Sequence, residues 1–351
     1  MIRFLLGTIL SVGCQYKMNR EKRMWCYYIA IFCFSILFSG CTGNSERENR
    51  QKNIYNWMQE RDKKKILCTT PMVADLVNRI GGDTISCLTL IHGEQDPHSY
   101  QLVKGDDEKI KAADLIFFSG LGLEHGPSLA YQLEKSPQAF SLGNHLLQID
   151  PKKIIYIDNV PDPHIWMDVS LWKEAVPFIV QVLANILPEC KDAIKKNGLI
   201  VEQELETLHQ KIFQDLQAIP EQKRYLVTTH DAFNYFTRAY LAEADERASN
   251  RWQQRCQAPE GLAPDSQLST VDIQRLTEYL VRYNISTIFA EANVSRDSIK
   301  KLIDSSRKNG HEVHIAPCVL FADSVGKIGS DTDSYMKMIQ YDAHVLAKEL
   351  K

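Results

Sequence analysis

Residues 65–90 read KILCTTPMVADLVNRIGGDTISCLTL, and the fold is predicted from the order of elements in this stretch. Its first five residues form an apolar run, and Pro71 then opens a segment whose apolar residues recur on one helical face. Two glycines end that segment before a second apolar run at residues 84–90. A helix that connects two short apolar strands is typical of a parallel β-sheet.

The same order of elements continues along the rest of the chain. Further short apolar runs occupy residues 115–119, 225–229, 286–291 and 312–316, and segments with helical periodicity occupy residues 105–113, 270–283 and 295–308. We therefore predict an α/β fold with two similar lobes, each a parallel sheet flanked by helices. The length of 351 residues agrees with two domains of about 150 residues each.

A long helix is predicted between the two lobes. Residues 192–218 contain no proline, and their apolar side chains recur every three or four residues. A helix of this length spans about 40 Å. We place a connecting helix at residues 189–219, between an N-terminal lobe at 64–188 and a C-terminal lobe at 220–351. A core helix inside one domain is the alternative.

The overall composition excludes several classes of protein. Hydrophobic residues make up 44% of the chain, charged residues make up 24%, and the formal net charge is −3. This balance is that of a globular protein, and it excludes a disordered chain or a strongly basic nucleic-acid-binding protein. We expect a monomer with no nucleic-acid partner.

The N-terminus has the pattern of an export signal. Residues 24–40, MWCYYIAIFCFSILFSG, are apolar or small and follow a basic cluster. We predict a signal peptide over residues 1–41, and Met1, Met18 and Met24 are the alternative starts. A single transmembrane anchor is the other interpretation, because about 17 apolar residues are at the short end of what spans a bilayer.

The end of this segment, Phe38-Ser39-Gly40-Cys41, resembles a bacterial lipobox, in which the cysteine is lipid-modified. Phe38 stands where leucine is usual. We expect an exported, periplasmic protein, with or without a lipid anchor at Cys41. The polar segment 42–63 is predicted to be a tether with little apolar surface to bury.

Two cysteines fall in the first two predicted strands. Cys68 and Cys87 would be neighbours in a parallel sheet, so they either form a disulfide or remain two inert buried thiols. Both alternatives stay open.

Three of the ten histidines lie at or just beyond the carboxyl ends of predicted strands. They are His98 in DPHSY, His164 in DPHIW and His230 in TTHDA. Open α/β sheets bind ligands at this edge, and the proline before His98 and His164 makes each loop rigid. Because each histidine is separated from the next by 66 residues, a zinc finger or a helical HExxH site is excluded. We expect ligands that come from separate loops.

Several longer motifs carry a family resemblance. They are DPHSY at 96–100, ADLIFFSGLGLE at 113–124, DPHIWMD at 162–168, THDAF at 229–233, FAEANV at 289–294 and LFADS at 320–324. Together they resemble the metal-binding solute-binding proteins of bacterial ABC importers for manganese, zinc or iron, including the adhesin-like lipoproteins. The resemblance covers residues 64–351.

The resemblance implies a function and a set of ligands. The protein would capture one divalent transition metal and deliver it to an ABC permease, with its ATPase, in the inner membrane, without chemistry of its own. The ligands carried over are His98, His164, His230 and Asp323. Zinc-uptake members usually have a His-rich acidic loop, whereas residues 122–144 contain only His125. Manganese or iron is therefore favoured, and zinc is not excluded.

Other residues surround these candidate ligands. Asp231 and Glu291 are candidates to accept the second N–H of the metal-bound imidazoles. The alternative for Asp231 is that it caps the following helix. The polar segment 242–257 departs most from the family and is predicted to be an insertion or a loop that contacts a partner.

Two other functions compete with metal capture. A zinc hydrolase also uses three protein ligands, together with a bound water. Against it, no glutamate stands next to a ligand to act as a base, and a fourth protein ligand would close the site. The third alternative is a surface adhesin.

Overall fold

The computed structural model describes residues 42–93, 95–264 and 269–351, so the predicted signal peptide lies outside the described residues. The chain divides into two compact units, Met1–Gln59 and Glu60–Lys351. In the first unit, the predicted tether is instead a helix, α1, at Thr42–Gln59. Lysine, arginine, glutamate and glutamine favour a helix locally, and most side chains described in it are exposed, as its polar composition predicts.

The second unit begins with the predicted parallel sheet. Its strands are β1 (Lys64–Cys68), β2 (Ile85–Thr89), β3 (Leu115–Phe118) and β4 (Ala139–Ser141), in the order β2-β1-β3-β4, all parallel. Its helices are α2 (Pro71–Gly81), α3 (Asp106–Ala112), α4 (Pro127–Lys135) and α5 (Leu142–Ile149). Thr70 caps α2, because its Oγ1 accepts a hydrogen bond from the Val73 N–H. The strand–helix–strand prediction for residues 65–90 is confirmed.

A hairpin and three helices follow this sheet. The hairpin pairs β5 (Tyr156–Ile157) antiparallel to β6 (Val160–Pro161), and the helices are α6 (Val169–Lys173), α7 (Val176–Ile186) and α8 (Lys191–Gln217). The predicted long helix is α8, with 27 residues. Its apolar stripe is buried and belongs to a hydrophobic core shared by residues from before and after it in the chain.

The second half of this unit repeats the α/β pattern with shorter strands. Two parallel pairs form, β7 (Leu226–Val227) with β8 (Cys256–Gln257), and β9 (Thr287–Ile288) with β10 (His314–Ile315). The helices are α9 (Asn234–Phe236), α10 (Ala244–Ala248), α11 (Thr270–Arg282), α12 (Asp297–Lys308) and α13 (Tyr335–Glu349), with a π-helical turn at Thr237–Leu241. Short 3₁₀ turns lie at Gly82–Thr84, Pro151–Lys153, Ile165–Met167, Pro188–Cys190, Glu221–Lys223 and Arg251–Arg255.

The predicted strand at 225–229 is longer than the observed one for a physical reason. Past β7, the backbone N–H groups of Thr229 and His230 donate to the carboxylate of Glu291. A side chain therefore replaces the neighbouring strand as hydrogen-bond acceptor, and the regular ladder ends there.

The segment 242–257, which is predicted to be an insertion or a loop that contacts a partner, is folded and has both buried and exposed residues. It contains α10, a 3₁₀ turn and β8, and Trp252 and Cys256 are buried. Arg255, which is 1% exposed, donates to the carbonyl oxygens of Glu221 and Arg224. These hydrogen bonds attach the segment to the rest of the protein, so it is folded although most of its residues are polar.

The cysteines in the described ranges are free thiols. Cys68 and Cys87 lie on neighbouring strands as predicted, and their Sγ atoms are 3.5 Å apart. A disulfide requires a bond of about 2.05 Å, so the structure has the two-thiol alternative.

Candidate metal centre

The loop after β2 fixes His98 through the aspartate two residues earlier. Asp96 Oδ1 accepts a hydrogen bond from the His98 N–H at 2.9 Å, and Asp96 Oδ2 accepts from Ser99 Oγ at 2.6 Å. This aspartate closes a turn on its own backbone, as Asp side chains commonly do in loops. The His98 side chain is thereby directed from a short, rigid turn.

The second DPH tripeptide repeats this turn and adds a contact to the ring. Asp162 Oδ1 accepts from the His164 N–H at 2.9 Å and also lies 2.7 Å from His164 Nδ1. Asp162 Oδ2 accepts from Asn234 Nδ2 at 3.1 Å, so the carboxylate is held on both oxygens. A donor on Nδ1 leaves Nε2 of His164 as the nitrogen available to a metal.

His230 is held by a carboxylate from a different part of the chain. Glu291 Oε1 accepts from the backbone N–H groups of Thr229 and His230, each at 2.9 Å, and Glu291 Oε2 lies 2.6 Å from His230 Nδ1. Glu291 therefore lies within hydrogen-bond distance of the Nδ1 atom of His230, the contact that its predicted role requires.

The structure brings the four residues predicted as ligands together. One ligand atom from each of His98, His164, His230 and Asp323 lies within 4.8 Å of the others, and all four side chains are buried. His98 Nε2 is 3.2 Å from His164 Nε2, and Asp323 Oδ1 is 3.3 Å from His164 Nε2. Asp323 Oδ2 is 3.1 Å from His230 Nε2 and 3.7 Å from His98 Nε2.

These separations fit a shared cation. Metal–nitrogen bonds of about 2.0–2.1 Å place neighbouring ligand atoms of a tetrahedral site roughly 3.3 Å apart. Within the described residues, His230 Nε2 and both carboxylate oxygens of Asp323 are buried without a hydrogen-bond partner. Buried polar atoms are rarely left unpaired, and three imidazoles with one carboxylate suit divalent zinc, iron or manganese. The donor set fits such a metal.

The electrostatic environment separates the three imidazoles. Burial lowers the pKa of His98 to about 3, although Asp323 favours its charged form. Burial acts in the same direction on His164, but the carboxylates of Asp162 and Asp323 outweigh it and raise its pKa to about 9. Glu291 and Asp323 likewise raise the pKa of His230 well above its usual range, against its burial. Nearby carboxylates therefore raise the pKa values of His164 and His230, whereas burial dominates at His98 and lowers its pKa.

Asp162, and not Asp231, has the predicted contact with the Nδ1 atom of an imidazole in the cluster. Among the described residues, the Asp231 carboxyl forms no hydrogen bond or ion pair with any of the three imidazoles, and burial together with Asp162 raises its pKa to about 6. It does not cap α9 either, because no side chain caps that helix. Asp162 was missed, although an aspartate two residues before a histidine in both DPH motifs was a usable signal.

The remaining histidines have other surroundings, with one exception. His145 stacks on Phe178, His209 Nδ1 is 3.0 Å from Tyr240 Oη, and His311 Nε2 is 2.8 Å from the Ile285 carbonyl oxygen. The exception is His125, whose ring lies beside that of His98.

A buried cluster of three imidazoles and a carboxylate, in parallel-sheet halves joined by a long helix, defines a metal-binding α/β protein. The family described as "Zinc-uptake complex component A periplasmic" matches residues 66–349, and the chain belongs to this family. The predicted resemblance to the solute-binding proteins of metal ABC importers is therefore confirmed, and so is the fold class.

Individual relatives cover nearly the whole chain. "Metal-binding protein YtgA" of Chlamydia trachomatis is 36% identical over 318 residues, which are 91% of this chain and 92% of that protein. "Manganese-binding lipoprotein MntA" of Bacillus subtilis is 29% identical over 328 residues, which are 92% and 98% of the two chains. The crystal structure of Fe(III)-bound YtgA from Chlamydia trachomatis matches with a TM-score of 0.77 at 36% identity, covering 82% of this chain and 98% of that chain.

Proposed function

We propose that this protein is the extracytoplasmic solute-binding component of an ABC importer and that it captures one transition-metal ion as cargo. The ligands are His98, His164, His230 and Asp323. The observation that carries the proposal is their geometry, since four buried ligand atoms, one from each residue, lie at the separations that a metal imposes. The same observation supports all four residues at once. In addition, His230 Nε2 and the two Asp323 oxygens lack a hydrogen-bond partner among the described residues.

The cargo we propose is manganese or iron. The MntA relative is named for manganese, and the YtgA structure contains Fe(III). Three imidazoles with one carboxylate also bind zinc, whose intrinsic affinity for such sites exceeds that of manganese or Fe(II). Zinc binding in vitro is therefore expected, and availability in the compartment selects the physiological cargo.

The partners we propose are a permease and its ATPase in the inner membrane. Delivery requires a protein outside the cytoplasm, and the MntA relative is named as a lipoprotein. We propose a periplasmic location, with a lipid anchor at Cys41. The domain boundaries that we propose remain 64–188, 189–219 and 220–351, with a monomer as the working unit.

The hydrolase and adhesin alternatives are less well supported. A catalytic zinc keeps one coordination position open for water, whereas the Asp323 carboxylate stands at that fourth position here. The names of these relatives refer to metal binding, and this supports metal capture over adhesion.

Elemental analysis tests the proposal. Purified protein is dialysed against equal concentrations of Mn²⁺, Fe²⁺ and Zn²⁺ without oxygen, and its metal content is compared with that of Asp323→Ala and His164→Ala. His344→Ala, which removes an exposed histidine of α13, is the matched control. We expect one equivalent in the wild type and the control, and little in the other two. Absence of metal from the wild type would overturn the proposal.

A further inference from the structure

The three imidazoles of the centre differ in whether a carboxylate contacts their Nδ1 atom. Asp162 Oδ1 lies 2.7 Å from His164 Nδ1, and Glu291 Oε2 lies 2.6 Å from His230 Nδ1. Within the described residues, no carboxylate or carbonyl engages Nδ1 of His98, whose turn is held only through its backbone N–H. A carboxylate behind a metal-bound imidazole fixes its orientation and raises its basicity. The orientation of the His98 ring is therefore the least constrained of the three, and His98 is the imidazole that can turn towards an ion outside the centre.

His98 is also the ligand closest to solvent. Its side chain is 3% exposed, whereas the side chains of the other three proposed ligands are 0% exposed. The exposed His125 lies next to it, with 5.7 Å between the two ring centroids. Within the buried cluster, the ring centroids are 5.2, 5.3 and 6.1 Å apart. His125 and His98 are thus spaced like two imidazoles of the cluster itself.

The backbone holds His125 in this position. His125 Nδ1 lies 3.1 Å from the Gly122 carbonyl oxygen, so in the neutral imidazole the proton is on Nδ1 and the lone pair is on Nε2. The turn that precedes it is fixed by the buried Glu124, whose carboxylate accepts from the N–H groups of Ser119 and Gly120 at 2.8 and 3.0 Å. Thr69 Oγ1 donates to the same carboxylate at 2.6 Å. An exposed imidazole therefore stands on a rigid support at the outer side of the centre.

We infer that His125 is a transfer ligand, which binds the metal together with His98 while the metal enters or leaves the buried centre. This inference rests on the proposed metal capture. The hydrated ion exchanges waters for His125 Nε2 and then for His98. The remaining waters and then His125 leave as His164, His230 and Asp323 bind, and protons displaced from the imidazoles pass to water. Each step replaces one neutral ligand or water by another donor, and no oxidant or reductant is needed.

His125 is expected to change the rates of metal capture and release, because it contacts the metal only on the path to and from the centre. His125 is absent from the group of ligand atoms that lie within 4.8 Å of one another, so it contacts the metal in transit and not at rest. An interaction made only along the path lowers the barrier in both directions and leaves the equilibrium unchanged. Removal of His125 must therefore slow capture and release by the same factor.

Stopped-flow metal transfer tests the inference. Zn²⁺ is the probe, a chromophoric chelator reports its movement, and release rates are extrapolated to zero chelator so that direct attack by the chelator does not contribute. The variants are His125→Ala, His125→Phe, which keeps a ring but no ligand nitrogen, and the control His344→Ala. We expect both His125 variants to slow capture and release by more than tenfold with Kd within twofold of the wild type, and the control to match the wild type.

Three results would overturn the transfer role. Unchanged rates in His125→Ala would show that the metal bypasses this residue. Wild-type rates in His125→Phe with slow rates in His125→Ala would show that the ring only shapes the entrance. A weaker Kd with an unchanged capture rate would make His125 a resting ligand. If the wild type instead takes up no Zn²⁺ at equilibrium, the proposed capture function itself fails, and this outcome is distinct from the other three.

Discussion

At the residue scale, the same tripeptide performs two different tasks. Asp96 and Asp162 both accept the backbone N–H of the histidine two residues later, at 2.9 Å in each case. Only Asp162 also reaches the imidazole Nδ1. The backbone turn is encoded locally, whereas the contact to the ring depends on the side-chain rotamer that the surrounding buried residues allow.

Asp162→Asn should weaken metal binding about 10–100-fold, because it replaces the carboxylate that orients and polarises His164. The matched control is Asp231→Asn, which changes a neighbouring buried carboxyl that forms no bond to an imidazole in the described chain. Titration with a metal chelator as competitor measures both affinities. Equal losses in the two variants would contradict the assignment of Asp162 over Asp231.

A second prediction at this scale concerns Asp75 on α2. Its Oδ2 is buried with no hydrogen-bond partner among the described residues. Burial raises its pKa to about 6, Asp333 adds to this effect, and Arg79 opposes it. The folded state thus binds a proton more tightly than the unfolded state, so this group's contribution to stability falls as pH rises from about 4 to 6.

Asp75→Asn imitates the protonated carboxyl and should remove this loss. We expect the variant to exceed the wild type in free energy of unfolding by about 2 kcal/mol at pH 7.5, with a smaller difference at pH 5. Urea denaturation at the two pH values measures this difference. An increase in the free energy of unfolding that is the same at both pH values would show that the variant acts through packing and not through the ionisation of Asp75.

At the element scale, α8 owes its length to an uninterrupted apolar stripe. Its stripe residues pack against α2, α6, α7 and α13. Propensity alone stabilises isolated helices only weakly, so tertiary packing of this face supplies most of the stability of α8. The element is rigid because it is packed along its length.

Leu205→Ala should lower the free energy of unfolding by about 3 kcal/mol, because Leu205 is 0% exposed and its truncation leaves a cavity. Leu199→Ala makes the same chemical change on the same helix at a position that is 68% exposed, and it should change stability by less than about 0.5 kcal/mol. Urea denaturation compares the two. Similar losses would mean that the helix is not held through its buried face.

At the scale of the whole molecule, buried hydrogen bonds tie the two halves of the second unit together. Trp166 Nε1 donates to the Ala322 carbonyl oxygen at 2.8 Å, and Tyr335 Oη donates to the Trp166 carbonyl oxygen at 2.6 Å. These bonds lie in the hydrophobic core shared by both halves. Wide hinge opening would break these bonds and expose the shared apolar core to water, which is costly.

We therefore expect small movements on metal release. Small-angle X-ray scattering profiles of metal-free and metal-loaded protein should superimpose, with local change confined to the loops that carry the ligands. A larger radius of gyration without metal would indicate hinge opening and would contradict a stiff connection.

Metal should also stabilise the fold as a whole. A ligand bound only by the folded state adds about 2.7 kcal/mol at a free concentration of 100 times Kd. Calorimetry should thus show a higher Tm with metal for the wild type and no such rise for Asp323→Ala. A rise of equal size in the variant would place the bound metal elsewhere.

The sequence alone was enough to predict the strand–helix–strand unit at 65–90, the length of α8 and the placement of three histidines outside the helices. These features depend on periodicity and on residues close in the chain, where local physical chemistry dominates. Asp323 came from the family resemblance, because no local pattern relates it to the histidines.

Contacts between groups that are distant in the sequence became known from the three-dimensional structure. The choice of Asp162 over Asp231, the burial of Trp252 and Cys256 and the approach of His125 to His98 all depend on side-chain direction and on contacts between distant segments. Periodicity assigns a residue to a face or to an edge, but it does not give a distance between atoms. Packing sets that distance, since buried charges and buried polar atoms are tolerated only where a partner is present.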